Sequence, residues 1–209
     1  MTETPDTSPR ADAKEDSAAV ERSGDDIALQ AARAARDELV DLIDLEGKRI
    51  GTARRHEVRA RNLLHRGVGI LCFDSGGRIH VHRRTMTKDV FPGLYDMFVG
   101  GVVGAGEEPH AAATREIAEE LGIRGPEPRW LFDHLYLGPH NRSLVSVYEV
   151  DWDGPIVLQE AEISWGGFVE LAELRSMLER FTFVPDGLEI WHRACDVHAR
   201  LAPFREDRP

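Results

Sequence analysis

Cysteine is scarce. The 209 residues hold two, Cys72 and Cys195, at a spacing that fits neither a metal-ligand motif nor a redox pair. A disulfide framework is not expected, and Cys72 sits in an apolar run with no evident base nearby in sequence. It reads as a core residue rather than a nucleophile. Long apolar runs are missing as well: none approaches the roughly 20 residues that cross a bilayer. The N-terminus lacks the charged-then-apolar layout of a signal peptide, so the expectation is a cytoplasmic protein with no membrane partner. Positive charge is in deficit, with 26 Lys and Arg against 37 Asp and Glu for a net charge of −11. With no global basic field, nucleic acid and anionic lipid are not expected partners. An acidic protein that handles an acidic substrate needs a local cationic patch, a metal, or both.

What is present suffices for one domain and an appendage, and an apolar content of 42% supports a sizeable core. Met1 to about Gly24 carries almost no large apolar side chain and cannot offset its ordering entropy, so it reads as disordered. Asp25 to Arg36 is Ala-rich behind an Asp start, and helix and disorder stay open there. The expected division is a disordered or partly helical tail over 1–37 and a folded domain over 38–205. Within the domain, Leu39–Asp44 and Arg49–Ala53 flank a hairpin turn at Glu46-Gly47-Lys48. Helical spacing runs from Arg55 to Leu64. Gly67–Asp74 and Ile79–Arg84 read as strands joined at Ser75-Gly76-Gly77, and Asp96–Val103 as a strand entering a glycine loop. Trp130–Leu137, Leu144–Asp151 and Ile163–Val169 read as further strands, and Leu171–Arg180 as an amphipathic helix. A last helix from Pro185 to about Leu201 carries Ile190, Ala194, Val197 and Leu201 on one stripe. Strands and helices are mixed without regular alternation, which fits a mixed sheet with helices on both sides.

The densest chemistry lies in Gly101–Ile123, GVVGAGEEPHAAATREIAEELGI, a loop that opens into a helix. At roughly 100° per residue, Glu120 lies about 40° to one side of Glu116 and Glu119 about 60° to the other. Three carboxylates thus share a narrow, exposed and like-charged face. Ile117 and Leu121 fall on the adjoining face and pin the helix to a core. Crowded oxygen ligands on a rigid element suit a hard divalent cation, Mg2+ or alternatively Mn2+. Arg115 reaches Glu119 at i+4 and fixes its direction. Gly100, Gly101, Gly104 and Gly106 allow sharp bends and close approach to a ligand, and Gly122 is placed to end the helix. Most charge runs are solvated faces; here the spacing argues otherwise.

That spacing matches G-x5-E-x7-R-E-U-x-E-E-x-G-U, with U apolar, at Gly101, Glu107, Arg115, Glu116, Ile117, Glu119, Glu120, Gly122 and Ile123. Chance agreement of the fixed types at one start point is on the order of one in 10^8. The stretch is the Nudix box, and the chain resembles Nudix hydrolases. The resemblance implies an α/β/α sandwich with a mixed β-sheet between helices, and hydrolysis of a nucleoside diphosphate linked to a group X. It implies Mg2+ on Glu116, Glu119 and Glu120, with the Gly101 carbonyl completing the coordination and Arg115 orienting the carboxylates. Glu107 then braces the loop. Glu160 and Glu162 precede the Ile163 strand, where the family often supplies a further carboxylate; either reads as a general base or as a solvated loop residue, and Glu162 joins Glu116, Glu119 and Arg115 in the expected catalytic set.

His65 to Gly101, above all RRTMTKDVFPGLYD, also resembles type 1 isopentenyl-diphosphate isomerases, a branch of the same superfamily. There an Arg and a Lys matching Arg84 and Lys88 contact the substrate diphosphate. The isomerase Cys-Gly-His-Pro run aligns with Gly100–Val103, so its thiol and its metal-binding His are missing here. The box glutamates, which the isomerases lack in full, are all present. The expectation is an isomerase-like Nudix hydrolase of a small-molecule diphosphate. An isomerase and a non-catalytic binding module are the alternatives, and a homodimer is left open. His80 and His82 share a strand face with Arg84. They read as a solvent-facing strand edge or, with Arg84, as part of a phosphate clamp. Trp152, Trp165 and Phe98 read as core more readily than as base-stacking platforms, and His140 and His192 as surface residues.

Overall fold

The computed structural model describes residues 36–205; the expectations for Met1–Gly24 and for residues 25–35 lie outside them. The chain divides after Asp37, and Glu38–Pro209 holds the architecture that follows. Its strands are β1 (Leu39–Ile43), β2 (Arg49–Arg54), β3 (His65–Phe73), β4 (Ile79–Arg84), β5 (Tyr95–Asp96), β6 (Arg129–Leu137), β7 (Arg142–Asp151) and β8 (Ile163–Val169). Its helices are α1 (Arg55–Ala60), α2 (Pro109–Glu120), α3 (Leu171–Arg180) and α4 (Pro185–Val197), followed by a 3-10 turn over Ala199–Phe204.

β3 is the axis. Its apolar run is buried on both faces, Ile70 and Cys72 toward one side and Leu71 and Phe73 toward the other. That is the signature of a central strand with a parallel neighbour. The neighbour is β7, in register from His65↔Ser143 to Phe73↔Asp151, and β6 lies antiparallel beyond it. The β1–β2 hairpin joins through Leu42↔His65. β4 meets β3 only at Phe73↔Ile79 and then diverges to lie between β8 and β5. The fork between β3 and β4 leaves room for a cleft.

Helices cover both faces. α2 packs Ala112, Ala113 and Ile117 on the Ile70, Cys72 and Val99 side. On the Leu71, Phe73 and Val81 side lie Leu174 and Met177 of α3, Ile190 and Trp191 of α4, and Leu201 of the 3-10 turn. Each large apolar side chain fully buried this way contributes about 1.5–3 kcal/mol before entropy is counted. The result is an α/β/α sandwich around a mixed sheet, as the sequence led us to expect.

Four details differ from the sequence reading. The helix from Arg55 stops at Ala60, because Asn62 takes a left-handed φ of 49°. Asp96–Val103 is no continuous strand; beyond Asp96 it touches β3 through single bridges, Val99 to Ile70 and Val102 to Gly67. It folds so closely over β3 that a Cβ at Gly100 would run into the Val68 carbonyl. α4 ends at Val197, which is 58% exposed and off the apolar stripe, while Leu201 is buried from the 3-10 turn. His80 and His82 are 1% and 2% exposed, because β4 is an interior strand rather than an edge.

Candidate active site

α2 starts with Pro109, whose missing N–H removes a donor that a first helical turn leaves unused. It stops after Glu120, and Gly122, at φ 68°, turns the chain away. Along this helix Arg115 is a hub. Its Nε donates to Glu107 at 3.0 Å, and one terminal nitrogen donates to Glu116 at 2.7 Å and Glu119 at 3.2 Å. The other reaches Glu107 at 3.1 Å and the Val102 carbonyl at 3.2 Å. Glu107 in turn accepts the Gly104 N–H at 2.9 Å. One guanidinium thereby ties the glycine loop to two helix carboxylates, and its own pKa is raised chiefly by Glu107.

The three helix glutamates of the box are not equivalent, which corrects the expectation of one exposed acidic face. The Glu119 side chain is 50% exposed, whereas Glu116 and Glu120 are 8% and 3% exposed. The reason is local packing. Gly100 and Gly101 lie over the helix, with the Gly100 N–H 3.4 Å from Glu120 Oε2, and a Cβ at Gly101 would collide with the Glu116 carboxylate. Burial pushes the Glu116 carboxyl up to about 7, with Arg115 opposing and Glu119 and Glu162 adding repulsion. Glu120 is raised well above the usual range by burial and then by Glu116. Two carboxylates in one dry place cannot both ionise cheaply without a cation.

Glu162, just ahead of β8, joins this group. It pairs with Lys88 and shares a hydrogen bond with Glu120. Burial works against its charge, yet Lys88, with the hydrogen bond to Glu120 and with Arg55, more than offsets burial and lowers its pKa. Arg84 donates from Nε and a terminal nitrogen to the Val90 carbonyl, at 3.2 and 2.9 Å. Glu160 is exposed. The Gly101 carbonyl accepts the Val68 N–H at 2.9 Å, which leaves one of its two lone pairs.

Gly100 and Gly101 also line a cleft of about 110 Å³ with Gly67 and Gly69 of β3, and Arg84 and Lys88 stand on its wall. Other wall residues escaped the sequence reading. Arg55 and Arg59 come from α1, Asp186 from the start of α4, and Asp96 from β5. Asp96 is buried, accepts the Phe98 N–H at 3.0 Å, and has its carboxyl pushed up by burial to about 7. The i, i+4 spacing of Arg55 and Arg59 in a helical stretch was a usable signal; their neighbours were not readable.

Among the described residues no three His, Cys, Asp or Glu side chains converge into a ready-made metal cage. Mg2+ does not require one, since it keeps several waters and takes one or two carboxylates together with substrate phosphates. Glu116 and Glu120 fit that demand: they are hard oxygen donors, buried, mutually repelling, and set against a glycine whose Cβ would fill the space. His80 and His82 do not join them. His80 Nε2 and His82 Nδ1 lack partners, and burial lowers the pKa of both, His80 to about 4.

An α/β/α sandwich that sets helix carboxylates beside a cationic cleft defines a class of enzyme rather than a scaffold protein. Residues 63–190 match the NUDIX domain model, and the chain belongs to that family and is a hydrolase. It is 48% identical over 162 residues to an uncharacterized Nudix hydrolase of Streptomyces coelicolor, covering 77% of this chain and 90% of that one. Over 168 residues it is 40% identical to another from Pseudomonas aeruginosa, covering 76% and 95%. Among solved structures, the crystal structure of DR0079 from Deinococcus radiodurans aligns at a TM-score of 0.62 with 25% identity, over 73% of this chain and 96% of that chain. A MutT protein from Methanosarcina mazei shares the fold at a TM-score of 0.53, with 19% identity over 68% and 96%. No helix among the described residues is long and apolar enough to cross a membrane.

Proposed function

We propose that this hydrolase cleaves a phosphoanhydride bond in a small diphosphate, a nucleoside diphosphate linked to X or a related compound, with Mg2+ held by Glu116, Glu119 and Glu120. The remaining lone pair of the Gly101 carbonyl is the fourth protein donor. One observation carries the reading: Glu116 and Glu120 are buried together against the two glycines that wall a cationic cleft. When bound, the ion supplies charge neutralisation at the diphosphate and a water of lowered pKa.

The chain's own groups supply the rest. Arg84 and Lys88 offset charge that grows on the phosphate oxygens, which is worth most in a water-poor cleft. Lys88 also keeps Glu162 ionised, so Glu162 can accept a proton near neutral pH. Its hydrogen bond to Glu120 provides a second seat for that proton. Arg115 holds Glu116 and Glu119 in direction, as outer groups around ligands do. The isomerase-like branch finds support in Arg84 and Lys88 on the cleft wall. Isomerisation does not, since position 100 is glycine and burial pushes the Cys72 thiol up to about 12.

A library of diphosphate compounds assayed for phosphate or nucleotide release with Mg2+ tests the proposal. Metal-dependent cleavage of one compound, lost in Glu120→Gln, is expected. Release from none of them, or full release without a divalent ion, would sink it.

A further inference from the structure

The cleft holds more cations than a diphosphate clamp of Arg84 and Lys88 uses. Arg55 and Arg59, one turn apart on α1, line the same space. The Nε of Arg59 is sealed from solvent and has no hydrogen-bond partner among the described residues. Its NH1 donates to Asn141 Oδ1 at 2.6 Å, while Asp89 stands 3.9 Å from Nε, too far for a hydrogen bond. Asn141 is itself fixed from behind, donating to Asp186 Oδ2 at 2.7 Å. Arg55 makes one long contact to Glu38, 3.4 Å. Burial foremost, with Arg55 and Arg84 repelling and Asp89 and Asp186 relieving, lowers the pKa of the Arg59 guanidinium. A guanidinium held where its charge is costly, with a donor unspent, calls for an anionic acceptor.

We propose that Arg55 and Arg59 bind a second, separate phosphate of the substrate, so that the diphosphate is carried by a compact phosphorylated group, such as a sugar phosphate or polyol phosphate, rather than by a nucleoside. The assignment rests on the hydrolase reading only for the diphosphate end. Two guanidiniums on one helix face present converging donors to a phosphate of charge near −2, and their present carboxylate partners, Glu38 at 3.4 Å and Asp89 at 3.9 Å, hold them only loosely. The wall offers no broad aromatic platform for a base: its aromatic rings are Phe91, Phe98 and His65, and the last two are 6% and 2% exposed.

The test has two arms, each on wild type, Arg59→Lys, Arg59→Gln, Arg55→Gln and Glu120→Gln. Titration calorimetry with inorganic phosphate reads the anion site without turnover. Paired assays on the 1-diphosphates of ribose and of ribose 5-phosphate read the gain in kcat/KM from the extra phosphate. Arg55→Gln and Arg59→Gln should weaken phosphate binding at least tenfold and erase a tenfold or larger gain, with Arg59→Lys between. Glu120→Gln should abolish cleavage of both diphosphates alike, which separates loss of turnover from loss of the gain. If Arg59→Gln does not fold, Arg55→Gln and Arg59→Lys carry the same expectation. Phosphate binding unchanged in the arginine variants overturns the proposal, as does a wild-type enzyme that gains nothing from the extra phosphate. A wild type that binds phosphate through these arginines but cleaves no diphosphate would overturn the hydrolase reading instead.

Discussion

Two pairs of buried ionisable side chains lie on the α2 side of the sheet, and they are treated in opposite ways. Glu116 and Glu120 are surrounded by cations and by close backbone: Arg115 and Gly101 beside the first, the Gly100 N–H beside the second, and Lys88 one carboxylate further away through Glu162. His80 and His82 stack on each other at 6.1 Å, and His80 meets Phe168 edge-on at 5.8 Å. One nitrogen of each ring has no partner. Burial perturbs both pairs equally well, so burial alone does not mark a site. What separates them is a route to opposite charge and to open space. The glutamates border a cleft lined by four cationic side chains, and the histidines border apolar packing.

The comparison breaks first if the glutamates are idle. Glu120→Gln should lower turnover by about 10²–10⁴-fold, the usual range for a displaced catalytic group. Melting temperature should hold or rise, because one member of a repelling buried pair is neutralised. Glu119→Gln should lower turnover similarly with no effect on stability, since that side chain is half-exposed. Steady-state rates and thermal melts on the same preparations check both, and two variants with near-normal rates would end the assignment.

Next in size is the cleft wall. Arg84→Met or Lys88→Met should lower kcat/KM by about 10–100-fold, consistent with losing one charge-assisted contact to phosphate of roughly 1.5–3 kcal/mol. Lys88→Met should also raise the lower pH limb of kcat/KM, because Glu162 loses the cation that holds its pKa down. A pH profile that stays fixed in Lys88→Met argues against Glu162 as the base.

The histidine pair makes the opposite prediction, on stability rather than rate. His80 stays neutral in the fold to about pH 4, while an unfolded histidine charges near 6.5. Between those values the unfolded chain binds more protons, so stability is fully present above about pH 6.5 and drains away toward pH 4. Asp96 and Glu116, raised to about 7, work in the other direction over the same range, losing stability as pH rises. The readout is therefore a difference. His80→Leu should become more stable relative to wild type as pH falls from 6.5 to 4, by up to about 3 kcal/mol. Urea melts across that range check it, and a constant difference would mean that His80 titrates in the fold as it does in the unfolded chain.

The glutamates were legible and the histidines were not, for one reason. A helix converts sequence spacing directly into spatial proximity, so Arg115, Glu116, Glu119 and Glu120 could be placed relative to one another from numbering alone. Arg84 and Lys88 were found by another route, the resemblance of RRTMTKDVFPGLYD to the isomerases. A strand converts spacing into faces but does not say what covers a face. His80 and His82 looked solvent-facing because they are polar and alternate; β8, about 80 residues later, and the two-residue β5 make β4 interior. Arg55 and Arg59 failed in a similar way, since their place on the cleft depends on Asn141 and Asp186, about 80 and 130 residues later. Asp96–Val103 was read as a strand from its apolar residues, and close packing on β3 reduced it to single bridges.

The smallest effect on activity is expected at the cysteines, and it sharpens the same contrast. Cys72 is 1% exposed within the α2-side core, and burial first, then Asp151 and Asp74, pushes its thiol up to about 12. At neutral pH it is a neutral, inaccessible thiol, like the histidines a perturbed group with no opposite charge to work against. Cys195 is 2% exposed on α4, on the other face of the sheet. Moving a proton at an allylic carbon would need an acid or base within reach of the substrate, and neither thiol lines the cleft. Cys72→Ser should cost about 1–3 kcal/mol of stability for a buried hydroxyl. The double variant with Cys195→Ser should retain the diphosphate-cleaving rate to within about twofold. Isopentenyl diphosphate incubated with wild type should give no dimethylallyl isomer. Appearance of that isomer, abolished in the double variant, would return the chain to the isomerases despite its four box glutamates.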